Sequence, residues 1–304
     1  MTAAEFGLDG RQGGALRRLS ALFWRRPSLA LVGLVVPPLA WLVLIYIAAL
    51  GVLFIAAFWS VDPFTGEIDR TWTLANFEAV VSISTYRTIV FRTILIAAAV
   101  TLTDAILAFP VAYFMARIAG RRLRLVLITL VVLPLWSSYL ARIYAWRLIL
   151  AHDGALNWAL RAIGLPSLSI GYSNWAMWIV FSYVWLPFMI MPVYAALERI
   201  PPSYFEASQD LGARGWRTLV KVVLPLAMPG LIAGSIFTFS LTLGDYITPV
   251  LVGGPGSDFI GNVVYSNVGV ANNIPFAAAY ATVPLVMMAL YLWGARRLGA
   301  FEVM

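Results

Sequence analysis

The sequence predicts an all-α polytopic membrane protein with six transmembrane helices and with the N and C termini on the cytoplasmic side. Its composition points to this class, because 62% of the residues are hydrophobic and only 12% are charged. A soluble domain would carry about twice that share of charged residues. Long uncharged runs supply the spans, since about 20 apolar residues are needed to cross the hydrocarbon core of a bilayer.

The spans follow these uncharged runs along the chain. The run 93–116, for example, is interrupted only by Asp104. One transmembrane helix is expected for each of the six spans. The predicted spans are residues 30–58, 90–116, 123–148, 174–197, 222–246 and 276–296.

The basic residues set the orientation. Fifteen of the 21 Lys and Arg residues fall in the N-terminal tail, the loops 117–124 and 198–221, and the C-terminal tail. Because cytoplasmic loops are enriched in Lys and Arg, we predict that this side faces the cytoplasm. The formal charge of +7 is therefore attributed to membrane orientation, and nucleic acid is not an expected partner.

The basic N-terminal tail allows two interpretations. Leu16, Leu19, Leu22 and Phe23 can share one face of a helix that lies on the anionic inner leaflet. A disordered basic anchor explains the same composition equally well.

A charged loop between the fourth and fifth predicted spans carries the most specific pattern. Pro201 and Pro202 block continuation of the preceding helix. Ser203 and Glu206 have the spacing of a capping box, which predicts a new short helix. Gly212 falls where a left-handed helix end needs a residue without Cβ, and a second short helix is expected after it. A charged helix-turn-helix between two spans suits docking to a cytosolic partner.

Three short stretches carry a family resemblance in this region. They are Glu206-Ala207-Ser208, Gly212-Ala213 and Leu224-Pro225. Together they resemble the EAA signature of binding-protein-dependent ABC importer permeases, with Ser208 standing where that family more often has alanine. The resemblance implies the type I permease fold, in which a cytoplasmic coupling helix-turn-helix enters a groove of the ATP-hydrolysing subunit.

The resemblance also divides the chain and assigns its coupling loop. Residues 1–29 form a basic cytoplasmic segment, 30–89 the first helix with an external loop, 90–296 a permease core of five helices, and 297–304 a cytoplasmic tail. The residues assigned to coupling are Ser203, Glu206, Ala207, Asp210, Leu211, Gly212 and Ala213.

Partners and cargo follow from the same resemblance. It implies a second homologous permease, a dimer of ATP-binding cassette ATPases, an extracytoplasmic solute-binding protein and the lipid bilayer of a bacterial inner membrane. Stretches within 130–230, together with Leu243-Gly244-Asp245-Tyr246 and its surroundings, resemble the spermidine/putrescine branch. A polyamine is therefore the expected cargo. Another small solute, such as an opine, an amino-acid derivative or ferric ion, is the alternative.

A catalytic site is not expected in this chain. His152 is the only histidine and is interpreted as a solvated loop residue, and the absence of cysteine excludes thiol nucleophiles and cysteine metal sites. No Gly-rich loop precedes a Lys-Ser or Lys-Thr pair, so we expect no cofactor here and assign ATP and Mg to the partner ATPase. A secondary carrier would need its own coupling-ion site, for which Asp104 is a candidate, and would leave the charged loop without a purpose.

Acidic residues within the spans are candidates for the substrate pathway, because a carboxylate at mid-membrane costs roughly 2.5–3.5 kcal/mol. Asp245 and Tyr246 stand at the outer end of the fifth span, where an anionic site near aromatic rings suits an organic dication. A helix cap or a hydrogen bond to a neighbouring span explains Asp245 as well. Asp104 lies deeper, and Thr101 and Thr103 beside it allow an ordinary buried network.

Aromatic residues complete the candidate pathway. The candidates are Trp136, Tyr139, Tyr183 and Trp185. Aromatic residues of membrane proteins more often serve packing or interfacial belts, so these four can be explained without a ligand.

Overall fold

The computed structural model describes residues 27–62 and 64–297. Within these ranges the chain is built of helices and one two-stranded hairpin, which confirms the predicted all-α class. Five helices are long and apolar enough to cross a membrane, or up to six if one bent pair forms a single span. The interpretations of the N-terminal tail, residues 1–26, and of the tail after residue 297 lie outside the described residues.

The first helix, α1, covers Pro27–Ala56 and corresponds to the first predicted span. It belongs almost entirely to a compact unit of its own, which ends at Ile55. Pro37 and Pro38 lie inside it. Prolines are tolerated in membrane helices because neighbouring groups and local helix adjustments satisfy the freed backbone carbonyls.

The second unit begins at Ala56 and holds the remaining elements. It opens with the antiparallel hairpin of β1 and β2, in which Ser60 pairs with Asp69. In chain order the elements are β1 (Ser60–Val61), β2 (Ile68–Asp69), α2 (Ala75–Ser82), α3 (Ser84–Tyr113), α4 (Arg121–Val132), α5 (Tyr139–Leu150), α6 (Ala155–Ala162), α7 (Asn174–Glu198), α8 (Pro202–Asp210), α9 (Gly215–Thr218), α10 (Leu224–Gly244), α11 (Ile247–Val252), α12 (Ile260–Gly269) and α13 (Ile274–Arg297).

Three long helices, α3, α7 and α10, pack together as the core of this unit. Ala108 of α3, Met189 of α7 and Ala227 of α10 are fully buried in one shared cluster. Gly230 allows α10 to approach α7 closely, because a Cβ at this position would lie 2.6 Å from the Cβ of Ala196. Small residues at helix contacts are typical of membrane bundles, where close packing drives association.

The third predicted span, residues 123–148, is wrong as a continuous helix. After α4 a short 3₁₀ turn, Leu133–Trp136, intervenes before α5, and the helical runs on either side are bent by 94°. Pro134 lacks the N–H that would continue the helical hydrogen bonds, and Ser137 turns to extended backbone with ψ of 153°. Hydropathy did not reveal this break because the run stays apolar through the bend.

Candidate functional site

The loop to which the sequence assigned a coupling role folds as a bend between two helical arms, which we call the elbow and define as residues 201–218. Its first arm, α8, begins at Pro202, with Pro201 at the N-cap and no side-chain capping bond. The capping box predicted from Ser203 and Glu206 is therefore wrong. Proline suits the first helical position because its φ is preset and its missing N–H would be unpaired there in any case.

The predicted left-handed turn at Gly212 is confirmed, with φ of +73°. The Gly212 N–H donates to the Gln209 carbonyl at 2.8 Å, and the Ala213 N–H donates to the Ser208 carbonyl at 3.0 Å. This pair of bonds is a Schellman motif, which satisfies carbonyls that the end of α8 leaves unpaired. The turn angle of the elbow is thus fixed by backbone hydrogen bonds.

The second arm differs from the separate short helix that was predicted. α9 continues through a π-helical turn, Leu219–Val223, directly into α10. Gly215–Gly244 is therefore a single helical run of 30 residues. The second arm of the elbow and the fifth span are therefore parts of one helix.

The outer surface of the elbow presents charged and apolar side chains together. Glu206 and Asp210 are exposed, Leu211 is 87% exposed, and Trp216 is 73% exposed. Ser203 and Ala207 are also exposed on α8. A mixed surface with large exposed apolar residues is typical of a protein-binding site.

A cavity of about 420 Å³ opens between the two arms. Its basic side comes from Arg217 and Lys221. The remaining lining residues are Tyr204, Ala207, Ser208, Leu211, Gly212, Ala213 and Val222. The elbow thus combines an exposed ridge with a concave basic surface, and Leu211 belongs to both.

The sequence did not single out the residue that ties the elbow to the bundle. Arg117, in the π-helical turn that follows α3, donates through Nη2 to the carbonyls of Leu197 and Ile200. Its guanidinium carbon lies 4.7 Å from the centre of the Phe205 ring in α8. The partners are 80 or more positions away in sequence, so no local pattern marks this contact.

At the opposite end of the bundle, Asp245 caps a helix and bridges to a neighbouring one. Its Oδ1 accepts the N–H groups of Ile247 at 2.7 Å and Thr248 at 3.1 Å. Its Oδ2 accepts the Thr248 hydroxyl at 2.9 Å and the hydroxyl of Tyr139 from α5. This buried carboxylate thus already accepts four donors, as the capping interpretation expects.

The structure brings Asp245 and Tyr246 to one cavity with two of the candidate aromatic residues. The cavity has a volume of about 300 Å³, and Tyr139 and Trp185 line it. These two rings stack with centres 5.6 Å apart. We call this space the outer cavity.

The other two aromatic candidates lie elsewhere. Trp136 is 89% exposed, and Tyr183 packs against Trp146 with ring centres 5.2 Å apart. Neither of them lines the outer cavity. His152 is exposed in its loop beside Asp153, as expected of a solvated histidine.

Asp104 is fully buried in α3, away from the lining of the outer cavity. Among the described residues, neither of its carboxylate oxygens has a hydrogen-bond partner. The network expected with the threonines does not form, because Thr101 donates to the Ala97 carbonyl at 2.7 Å and Thr103 accepts from Trp178 at 3.1 Å. Within the residues that the structure describes, the buried hydroxyl of Ser182 in α7 also has no hydrogen-bond partner.

Known proteins are similar to this chain in sequence. A family model described as "Binding-protein-dependent transport system inner membrane component" matches residues 108–299. The inner membrane ABC transporter permease protein YdcU of Escherichia coli K12 is 46% identical over 302 residues, covering 95% of this chain and 96% of that protein. The spermidine/putrescine transport system permease protein PotB of Haemophilus influenzae is 33% identical over 210 residues, covering 68% and 73%.

Solved structures confirm the type I permease fold. A chain of a bacterial alginate ABC transporter, crystallised with an alginate pentasaccharide-bound periplasmic protein, matches with a TM-score of 0.73 and 18% identity, covering 92% of this chain and 96% of that one. A chain of the inward-facing MetNI methionine ABC transporter matches with a TM-score of 0.56 and 19% identity, covering 75% and 99%.

Proposed function

This chain belongs to the family of binding-protein-dependent transport system inner membrane components, and we propose that it forms one half of the membrane pathway for a small cationic solute of the polyamine type. It is a permease subunit of an ABC importer, a multi-pass inner membrane protein and not an enzyme. The cargo and the partner subunits are the proposed part.

The elbow is the observation that supports the proposed partners. Its exposed ridge around Leu211 and Trp216 offers apolar area that a cytosolic protein would cover. We assign this partner as a dimer of ATP-binding cassette ATPases, which would also bind the ATP and Mg. A second homologous permease and an extracytoplasmic solute-binding protein complete the proposed machine.

Coupling would work through the shape of the elbow. ATP-driven closure of the ATPases displaces α8, and the turn at Gly212 passes that displacement to the helical run Gly215–Gly244. Since α3, α7 and α10 pack as one group, a shift of α10 changes the pathway between the spans. Access then alternates between the two membrane faces.

Two observations favour a cationic cargo. The similarity to the spermidine/putrescine transport system permease protein PotB covers 68% of this chain. In the outer cavity, Tyr139, Trp185 and Tyr246 offer ring faces next to Asp245, and aromatic faces attract ammonium groups. The Asp245 carboxylate already accepts four hydrogen bonds from the protein. It would therefore attract a cationic solute through its negative charge and not through a direct hydrogen bond.

The test begins with the solute-binding protein and ends with transport. The binding protein that acts with this permease is screened by thermal shift against spermidine, putrescine, an opine, amino acids and ferric ion. The reconstituted complex is then assayed for uptake of the stabilising compound into proteoliposomes that contain ATP on the cytoplasmic side. We expect ATP-dependent polyamine uptake. Stabilisation by a non-cationic solute alone would contradict the cargo, and uptake that follows an ion gradient without ATP would indicate a secondary carrier.

A further inference from the structure

Arg117 occupies the point at which three elements of the protein meet. The end of α3 widens into a π-helical turn, Phe114–Ile118, and Arg117 projects from this turn. Single π turns within helices frequently mark functional positions. The side chain is half-buried, and its Nη2 donates to the carbonyls of Leu197 and Ile200.

These two carbonyls lie at the C-terminal end of α7, just before the elbow begins. The Leu197 carbonyl also accepts the Ile200 N–H at 3.3 Å, and the negative end of the helix dipole favours a cation there. Arg117 therefore fastens the end of the fourth span to the end of the second span. The bonds fix the position from which α8 starts at Pro202.

The same guanidinium also faces α8 itself. Its carbon lies 4.7 Å from the centre of the half-buried Phe205 ring, which is within the range of a cation–π contact. Arginine can satisfy both demands, because its planar group donates hydrogen bonds in the plane and stacks on a ring with its face. Lysine would keep the charge and lose this combined geometry.

The neighbouring acidic residue is engaged by a different cation. Glu198 accepts from Arg124 at 3.2 Å and from the Tyr194 hydroxyl at 2.7 Å. Arg117 thus makes its described contacts with backbone carbonyls and an aromatic ring. The carbonyls belong to the segment that leads into the elbow, and the ring belongs to the first arm of the elbow. Arg117 is therefore a direct contact between the elbow and the end of α3.

We propose that Arg117 is a positioning residue that transmits displacement of the coupling helix α8 to the second span, α3. The elbow is linked to the fifth span by the continuous run from Gly215, and Arg117 supplies a second connection, through Phe205, to another helix of the core. Movement of α8 then displaces two spans together. This inference rests on the proposed function, because it assumes that α8 receives the motion of a partner ATPase.

The test uses variants on both sides of the contact. Arg117→Lys keeps the positive charge but loses the planar guanidinium, which donates to the two carbonyls and stacks on the Phe205 ring. Phe205→Leu keeps an apolar side chain and removes the ring, whereas Phe205→Tyr retains the ring as the conservative variant. Arg122→Lys, at an exposed position in the first turn of α4, is the matched control.

Each variant is purified with its partner subunits and reconstituted, and three quantities are measured. These are co-elution of the subunits, ATP hydrolysis with and without the solute-binding protein, and solute taken up per ATP hydrolysed. We expect Arg117→Lys and Phe205→Leu to assemble with normal basal hydrolysis and to lose at least about fivefold of the stimulated hydrolysis, the lower end of typical coupling effects. Phe205→Tyr and Arg122→Lys should behave as wild type. The double variant Arg117→Lys/Phe205→Leu should lose no more than the worse single variant, because the two residues act as one contact.

Three outcomes would overturn the proposal. These are wild-type stimulation in Arg117→Lys, full additivity in the double variant, and loss of subunit assembly in both single variants, which would indicate a purely structural role. Failure of the proposed function looks different, because a wild-type complex would then show no stimulated hydrolysis and no ATP-driven uptake.

Discussion

The hydroxyl of Ser208 lies 2.8 Å from the hydroxyl of Thr218, and both side chains are buried inside the elbow. This bond joins α8 to α9 on either side of the turn at Gly212. Position 208 is where the chain departs from the alanine that is more common in the related signature. The partner at Thr218 gives this serine a structural reason, since a buried hydroxyl needs a hydrogen-bond partner.

We predict that Ser208→Ala loosens the elbow. The substitution leaves the Thr218 hydroxyl buried without its partner, which costs about 1–3 kcal/mol. Hydrogen exchange of the amides in residues 203–218 should accelerate. The double variant Ser208→Ala/Thr218→Val should largely restore protection, because replacing both partners by apolar groups can be nearly neutral. Equal exchange in the single and double variants would contradict this role of the bond.

We predict that Gly212→Val inserts normally into the membrane and loses stimulated ATP hydrolysis and transport. A Cβ at Gly212 would meet no atom within 4 Å, so the effect arises from its φ of +73° alone. An L-residue in this region costs about 1–2 kcal/mol, and a β-branched side chain resists it most.

Two substitutions serve as controls for the Gly212 prediction. Gly212→Asn should retain most function, because asparagine adopts left-handed backbone more readily than other L-residues. Gly215→Ala should be harmless, since Gly215 has open space around it and no positive φ. Wild-type stimulated hydrolysis and uptake in Gly212→Val would contradict the prediction.

The orientation can be tested with single cysteines, because the natural chain contains none. Cysteines placed in 117–124 and 204–215 should be protected from an impermeant thiol reagent in whole cells. Cysteines placed in 61–85 and 150–172 should react, and all positions should react after membrane disruption. Labelling of 204–215 from outside would overturn both the orientation and the docking of the elbow to a cytosolic partner.

The charge of Asp245 is predicted to matter for a cationic cargo. Asp245→Asn removes the charge, while Oδ1 can still accept the N–H groups of Ile247 and Thr248. If the cargo is a polyamine, we expect uptake to fall by about tenfold, equivalent to about 1.4 kcal/mol. Radiolabelled uptake by the reconstituted complex provides the measurement, with docking of the solute-binding protein checked separately.

Tyr139→Phe is the matched control for this experiment. It removes the hydroxyl that bonds to Asp245 and keeps the ring that lines the outer cavity. Uptake should stay close to wild type, because the charge and the aromatic face remain. Unchanged uptake in Asp245→Asn would remove this carboxylate from the pathway. An equal loss in both variants would assign Asp245 to a structural cap.

The sequence predicted what depends on local composition and local sterics. Five of the six spans coincide with long apolar helices, and the positive φ of Gly212 follows from the residue type and its place after a helix. The bend after Val132 was missed, because apolar composition does not reveal the direction of a helix. The cap at Ser203 was wrong, because the helix begins at Pro202 and its N-cap is Pro201, two residues before the predicted cap.

Contacts between distant parts of the chain were beyond local patterns. Arg117 reaches carbonyls 80 or more positions away, and Tyr139 bonds to a carboxylate 106 positions away. In the sequence, Arg117 is already explained as one of the basic residues that set membrane orientation. The role of Arg117 at the elbow could therefore be recognised only once α3, α7 and α8 were placed side by side.

The continuous run from Gly215 to Gly244 would act as a lever arm if it moved as one rigid helix. At 1.5 Å per residue its 30 residues extend about 45 Å, so a tilt of about 5° at the elbow would move the far end by about 4 Å. That far end carries Gly244 and Asp245, which line the outer cavity. A movement of 4 Å is comparable to the width of an extended alkyl amine. If the outer cavity belongs to the proposed pathway, a small rotation of the elbow would therefore be enough to open or shut it.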